Sequence, residues 1–399
     1  MWKTLALALV ACTAAQRPVA TGGSFGASTP EAEGLDTRAL LDLATWVRDQ
    51  PVPIYSLLIS RHGKVVFELY TGQVDREAAH YLMSATKSVL SILIGIAIDQ
   101  HLIAGPDVAV ADALPADAFP TPGDRERFRK VTLADVMAMS ALDTPDPPRV
   151  HTPEAVDRQR AFLAAPDRVR FALGQPIVAE PGATFLYNDE GPVIASGILE
   201  HAAGEPALRF AEQHLFGPLG FAHYEWMHAD PSGHAMGGYG LRLRPIDMQK
   251  LGVLFLDHGA WNGAQLVPRA WVDRSFTPWI KTSPAVRAPN YGWFWWADRY
   301  GPHWEAHLAH GWKGQRIVVI PEQGIVVTMT AYVEDGTESA LIARIIEDFV
   351  EPAVVHGARP DPAVAAELAR VLAALPASPL RGPPHPEPRM IPSIAHKGR

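Results

Sequence analysis

Cysteine is all but absent: Cys12 is the only one in 399 residues, which rules out an intrachain disulfide and a cysteine-built metal site. A basic surplus is missing too. With 35 Lys and Arg against 43 Asp and Glu, the net charge is -8, and no long Lys/Arg run interrupts that balance, so nucleic acid is not an expected partner. Long uncharged apolar runs are also lacking. Val89 to Ile98 is opened by Lys87 and stopped by Asp99, too short and too closely flanked by charge to span a bilayer. What is present is a globular composition, 48% hydrophobic and 20% charged, long enough for one large domain or two moderate ones.

Met1-Trp2-Lys3 followed by Thr4 to Ala11 reads as a short basic start and a short apolar region, the pattern of an export signal over residues 1–15. Leu9-Val10-Ala11-Cys12 is similar to a bacterial lipobox, which would make Cys12 an acylated N-terminus and attach an exported protein to a membrane. Ordinary secretion with cleavage after Ala14 or Ala15, and a later start codon, stay open beside it. Residues 16–34, rich in Gly, Ser, Thr, Ala and Pro, read as a flexible linker. Residues 35–355 then read as the folded domain, and 356–399 as a C-terminal helix and a Pro-rich tail beginning at Pro376.

Within that domain, Asp36 to Asp49 has helical periodicity with Asp36 as N-cap, and Ile54–Ile59 with Val65–Tyr70, joined by Arg61-His62-Gly63-Lys64, predict a β-hairpin. Residues from Pro106 to about Asp230 read as a helical insertion, with Thr132 capping Leu133–Met139 and a further helix from about Pro192 to Ala203. An amphipathic helix is expected over 246–259. Tyr291–Trp296, Ile317–Ile320 and Ile325–Thr330 read as strands, followed by a helix from about Glu338 to Phe349. Early and late strands around a helical middle imply an α+β fold with one antiparallel sheet flanked by helices and assembled from both chain ends, not a βαβ series.

The chemistry-bearing feature is Ser84-Ala85-Thr86-Lys87 at the mouth of the apolar run. Residues three and four apart share a helix face, so Ser84, Lys87, Ser88 and Ser91 form one polar stripe on a helix otherwise made for burial. Burial disfavours an ammonium, which would let Lys87 accept or share the Ser84 proton. A core helix whose lysine is salt-bridged and whose serines back-bond to the preceding turn accounts for the same four residues.

Two further motifs follow in order: Tyr187-Asn188-Asp189, and His310-Gly311-Trp312-Lys313-Gly314-Gln315 before a strand. With Leu58 to Lys64, Val131 to Leu142, Pro181 to Tyr187 and Gly237 to Gly263 as supporting stretches, residues 35 to 350 resemble the serine β-lactamase, DD-peptidase and family VIII esterase superfamily. Members similar to 6-aminohexanoate-dimer hydrolases are included. The resemblance implies a β-lactamase-like fold, Ser84 as nucleophile of an acyl-enzyme, Lys87 and Tyr187 as the proton-transfer pair, and an oxyanion hole. That hole would use the Ser84 amide and a second donor near Trp312 or Lys313. Whether Lys87 deprotonates Ser84 directly or lowers the Tyr187 phenol stays open. It implies no cofactor and no metal.

The departures from the pattern bear on substrate. The second motif is commonly Tyr-x-Asn, whereas Asn188 here follows Tyr187 directly and Asp189 takes the third place. A carboxylate cannot donate to a substrate carbonyl, but it can hold Lys87 charged. In the third motif His310 and Gly311 fit while Trp312 fills a small residue's place; a register centred on Gly311 and Gly314-Gln315 is the alternative. Asn188, Asp189, His310, Gly311, Trp312, Lys313 and Gln315 are therefore expected as substrate-binding or supporting residues. Loss of the Lys-Thr-Gly form favours a small-molecule ester or amide over a β-lactam. A penicillin-recognising peptidase or β-lactamase and a non-catalytic binding relative stand as alternatives. A zinc hydrolase built on His303, His307 and His310 is a remote one, since a strand would point these histidines to different sides. The aromatics Tyr291 to Trp296, Trp279 and Trp304 are divided between core and pocket wall.

Overall fold

The computed structural model describes residues 26–49, 54–72, 74–142, 153–177, 179–227, 230–283, 287–334 and 336–375. The segment read as an export signal, with Cys12, the first part of the segment read as a linker and the Pro-rich tail lie outside the described residues.

Two apolar strands and a two-residue turn start the sheet. β1 (Ile54–Arg61) and β2 (Lys64–Tyr70) meet at His62 and Gly63, whose φ values of 49° and 75° are the paired left-handed conformations that a tight hairpin with right-handed strand twist requires. The other strands come from the far end of the chain: β3 (Ile280–Lys281), β4 (Asn290–Tyr291), β5 (Trp296–Tyr300), β6 (Trp304–Gly311), β7 (Gln315–Ile320) and β8 (Ile325–Ala331). They form one sheet in the order β2-β1-β8-β7-β6-β5-β4-β3, antiparallel at every pairing. β1 lies beside β8, with Leu57 opposite Met329. The α+β arrangement with both chain ends in one sheet is thus the observed one.

The expected strand over Tyr291–Trp296 is two strands with a turn between them. Gly292 approaches so closely that a Cβ there would sit 2.3 Å from the Ser275 carbonyl oxygen. Phe294, at φ 62°, then reverses the chain, so the β propensity of the aromatic run yields to local turn geometry. The linker needs a correction as well. From Gly26 onward it pairs with β2, Ser28 N–H donating to Val65 O at 2.9 Å and Val65 N–H to Gly26 O at 2.8 Å. Glu33 is buried against Lys64 (2.9 Å) and His62 (3.0 Å). Burial pushes its carboxyl up, but these partners together with Ser28 outweigh that and hold it at about 2.

The helices that frame the site are α1 (Thr37–Asp49), α2 (Thr86–Asp99), α3 (Leu133–Met137), α4 (Glu190–Ala203), α5 (Pro245–Leu256), α6 (Arg269–Phe276), α7 (Glu338–Ile345) and α8 (Pro362–Ala374). Thr132 caps α3 as expected, its Oγ1 accepting from Asp135 N–H while Asp135 accepts from Thr132 N–H, a reciprocal capping box. The helix ends at Met137, not Met139, because Met139 turns left-handed at φ 56°. α5 is not amphipathic: every residue but Leu256 is buried, as befits a helix enclosed on all sides. Between Pro106 and Asp230 the described residues hold helices and a single two-residue strand, Glu225–Trp226, which joins Leu241–Leu243 and His80–Tyr81 in a small separate sheet.

Gly252 sets how closely α5 approaches the large sheet. A Cβ at this position would lie 2.4 Å from Val326 Cγ1 and 2.9 Å from Ile317 Cγ2, closer than packed carbons tolerate. Gly252→Ala is therefore expected to cost about 1–3 kcal/mol through overpacking, read as a lower denaturant midpoint at unchanged slope. An unchanged midpoint would show that the sheet yields at no cost.

Candidate active site

Ser84 is delivered by a strained backbone. Met83, immediately before it, has φ 49°, a conformation costly for a long side chain and one that recurs at functional turns. The segment is clamped on both sides. Leu82 N–H donates to Leu241 O (2.9 Å) and Leu241 N–H to Thr86 Oγ1 (3.3 Å). On the other side the end of β6 presses in so closely that a Cβ on Gly311 would be 2.0 Å from Leu82 O. Only glycine permits that approach, so Gly311 places the third motif beside the Ser84 segment.

Lys87, 1% exposed, gathers three parts of the chain at one nitrogen. Its Nζ donates to Ser84 Oγ at 3.1 Å, to Asp189 Oδ1 at 2.8 Å and to Gly238 O at 2.9 Å, and stands 4.9 Å from the centre of the Tyr187 ring. Of the two states the sequence left open for this lysine, its surroundings favour the charged one. Burial does push the ammonium down, but the charge of Asp189, then that of Tyr187, and hydrogen bonds to both outweigh it, and the net direction is upward from 10.5. Lys87 is a cation at neutral pH, held so by the carboxylate that replaces the usual amide.

Gly238 was missed by sequence reasoning at this level of detail, because its contribution is a backbone carbonyl. Its signal is steric: a Cβ there would fall 3.1 Å from Asp189 Oδ1 and 3.6 Å from Lys87 Nζ. The loop carrying Tyr187 is hung from α3, with Leu186 N–H donating to Met139 O at 2.6 Å, so the left-handed Met139 that ends α3 also positions the second motif. Asn188 works locally. Its side chain donates to Leu186 O (2.8 Å) and accepts from Gly191 N–H (2.6 Å), which fastens the loop to the start of α4. Ser88 Oγ donates to Phe294 O at 2.6 Å rather than back-bonding within α2. Ser91 Oγ, also buried, has no hydrogen-bond partner among the described residues.

The third motif divides in the same way. Gln315 is buried and donates to Ala331 O (2.7 Å) and Trp312 O (3.3 Å), tying β7 to the end of β8. Lys313 turns left-handed at φ 65°; its ammonium lies over the rings of Trp312 (4.5 Å) and Tyr332 (5.1 Å). The Lys313 amide donates to Glu338 at 3.4 Å, so it is engaged elsewhere than in an oxyanion hole. His310 faces Arg316 across the β6–β7 ladder and lies 5.7 Å from Trp296. Burial, with the Arg316 charge adding to it, pushes its imidazole well below 6.5. His310 is neutral where the related motif often has a lysine.

β6 places His307 and His310 on opposite faces and His303 in the turn before it, so the three do not converge on one ion. Tyr291 and Trp296 join Phe185 and Tyr187 in a ring cluster with centroid separations from 4.7 to 6.4 Å. Trp295 turns away into the core, stacked 4.5 Å from Phe255, and Trp304 is buried.

An antiparallel sheet flanked by helices, with a serine and a buried lysine on one segment and a tyrosine brought to them from another, defines the class of protein. The chain belongs to the beta-lactamase family, whose model matches residues 42–348. It is similar to the "Putative D-alanyl-D-alanine carboxypeptidase" of Escherichia coli (strain K12), 23% identical over 240 residues, which cover 55% of this chain and 54% of that one. The chain thus spans about half the length of the curated relatives it matches. Two solved structures share the fold. The "Putative 6-aminohexanoate-dimer hydrolase from Bacillus anthracis" has a TM-score of 0.65 at 17% identity, covering 84% of this chain and 88% of that one. "EstCE1, a hydrolase with promiscuous acyltransferase activity" has 0.64 at 16%, covering 80% and 99%.

A lysine whose folded-state value is raised contributes stability that is complete below its ordinary 10.5 and lost as pH rises through the folded-state value. Asp189→Asn removes the charge that chiefly opposes burial and leaves Tyr187 with the neutral acceptors Gly238 O and Ser84 Oγ, so it is expected to lower stability by about 1–3 kcal/mol at pH 7. The gap from wild type should narrow above pH 10.5. Denaturant midpoints of both proteins across this range are the measurement; a gap independent of pH would show that Asp189 does not hold the ammonium.

Proposed function

We propose that this chain is a serine hydrolase that cleaves a carboxylic ester or amide through an acyl-enzyme on Ser84. The observation that carries the reading is the 3.1 Å hydrogen bond from a buried, cationic Lys87 to Ser84 Oγ. An ammonium cannot take the serine proton. The Tyr187 side chain, with its ring centre 4.9 Å from Lys87 Nζ, is the group that accepts the proton, acting in this step as its phenolate. In this scheme Ser84 Oγ bonds to the substrate carbonyl carbon as its proton passes to Tyr187. Collapse of the tetrahedral intermediate expels the alcohol or amine, which takes that proton. Water then attacks the acyl-enzyme, Tyr187 again removing the proton and returning it to Ser84. Developing negative charge on the carbonyl oxygen would be met by the Ser84 backbone N–H, at the positive end of the turn that leads into α2; the next amides are already taken, Ala85 by Leu82 O and Thr86 by Met83 O.

The substrate class rests on the third motif. A neutral His310 and a bulky Trp312 in a small residue's place offer little to a substrate carboxylate, which favours an uncharged ester or amide over a β-lactam or a peptide terminus. The aromatic group of Phe185, Tyr187, Tyr291 and Trp296 is suited to an apolar acyl or leaving group. The two solved relatives, one named as a 6-aminohexanoate-dimer hydrolase and the other as a hydrolase with promiscuous acyltransferase activity, are compatible with that choice.

Intact-mass measurement after incubation with p-nitrophenyl butyrate, and separately with a penicillin, tests the proposal together with product release. Turnover of the ester and a one-acyl adduct are expected for wild type. Both should be absent in Ser84→Ala, and turnover should fall at least about a hundredfold in Lys87→Met. Persistent turnover in Ser84→Ala would refute the nucleophile, and stable penicillin acylation with no ester turnover would move the chain to the penicillin-recognising class.

A further inference from the structure

A second cleft, of about 650 Å³, opens between α2 and α6 and is lined in part by Trp271, Arg274, Trp279 and Trp293. It belongs to a different part of the molecule from Ser84. Its α2 wall is Gly95 and Ile98, eleven and fourteen residues beyond Ser84, or ~16–21 Å along a helix. Gly95 exists here for Trp271: a Cβ would fall 2.4 Å from the indole ring. Trp271 Nε1 is committed to Ser91 O at 3.0 Å, which fixes that wall.

The cation in the cleft is uncommitted. The Arg274 guanidinium carbon lies 4.1 Å from the Trp279 ring centre and 4.8 Å from that of Trp293, and the two ring centres are 5.8 Å from one another, so both indoles pack against the cation from adjacent sides. None of its N–H groups is claimed by a hydrogen bond or ion pair among the described residues; the Asp107 charge reaches it only at a distance. The Trp293 indole N–H is buried and has no acceptor among the described residues, its residue only 4% exposed. A guanidinium is a planar fork of donors, the geometry that a carboxylate meets with two parallel bonds, and contact with two indoles narrows the positions this one can take. Three indoles around it favour an apolar body. Asp99 and Asp107 on the lining disfavour a ligand with more than one negative charge.

We infer that this cleft is a second ligand site, for a monoanionic organic carboxylate with an apolar body, separate from the Ser84 centre. Its recognition element is the stacked Arg274, with the indoles as walls. Neither the acyl-transfer chemistry nor its residues enter the argument, so the two readings stand or fall separately.

Calorimetric titration of the full chain carrying Ser84→Ala, with 2-naphthoate and decanoate as probes, tests the site while the catalytic serine is silent. Saturable one-site binding of at least one carboxylate is expected. It should weaken at least tenfold in the Arg274→Met version, and at least tenfold when 2-naphthamide replaces 2-naphthoate. Arg274→Met in the otherwise wild-type chain should keep its circular dichroism spectrum and ester turnover. Failure of both carboxylates to saturate would overturn the inference, as would equal affinity with and without Arg274 or equal affinity for the neutral amide.

Discussion

The ion pair between Lys87 and Asp189 is the interaction on which the rest of the site depends. A lysine with 1% exposure pays heavily for desolvation unless its charge is met at close range, and a buried charge left alone is among the most damaging things a core can contain. Here the 2.8 Å carboxylate contact is joined by the Gly238 carbonyl and the Ser84 hydroxyl, so the three ammonium hydrogens have three acceptors. Satisfying that one group requires α2, the loop before α4 and the segment before Leu241–Leu243 to arrive together. The charge therefore acts as a registration point for the tertiary structure as well as a chemical tool.

Close approaches made by glycine do the remaining positioning. Gly238 lets the carbonyl reach Lys87, Gly311 lets β6 touch Leu82, and Gly252 lets α5 settle on β7 and β8. Each is a place where one extra carbon would move an element that carries a site residue. Met83 and Met139 complement them with left-handed backbones, one presenting Ser84 and the other catching the loop of Tyr187. The second cleft uses the same economy, with Gly95 admitting Trp271 against α2 so that the wall of one site is the scaffold of the other.

Much of the frame was legible in the chain itself. The hairpin at His62-Gly63, the capped helix after Thr132, the buried helix after Ser84 and the late strands all announce themselves through turn residues, caps and apolar runs. Reading failed where local signals compete. The run from Tyr291 to Trp296 carries strong strand propensity yet breaks into the ends of two strands with a turn between them, where Gly292 lies against Ser275 and Phe294 N–H donates to Met137 O. Residues 26–34 have the composition of a linker, but Glu33 finds Lys64 and His62 only once β2 exists. The helix over 246–259 was given an exposed face because its polar residues, Asp247, Gln249 and Lys250, are spaced as if for solvent. In the fold they are buried and bonded to one another, to Arg244, to Ser60 and to backbone carbonyls.

Sequence by itself determined the order and identity of the reactive groups: a serine three residues before a lysine on an apolar helix, a tyrosine next in line, and a histidine-led third motif. Spacing along a helix is enough to place Ser84 and Lys87 on one face, since that geometry is local. Tertiary structure alone decided the protonation chemistry, because a pKa depends on what surrounds a group and not on its neighbours in the chain. Burial on its own would have made Lys87 a neutral base. The carboxylate of Asp189, 102 residues away, reverses that sign, while Arg316 and burial together leave His310 uncharged.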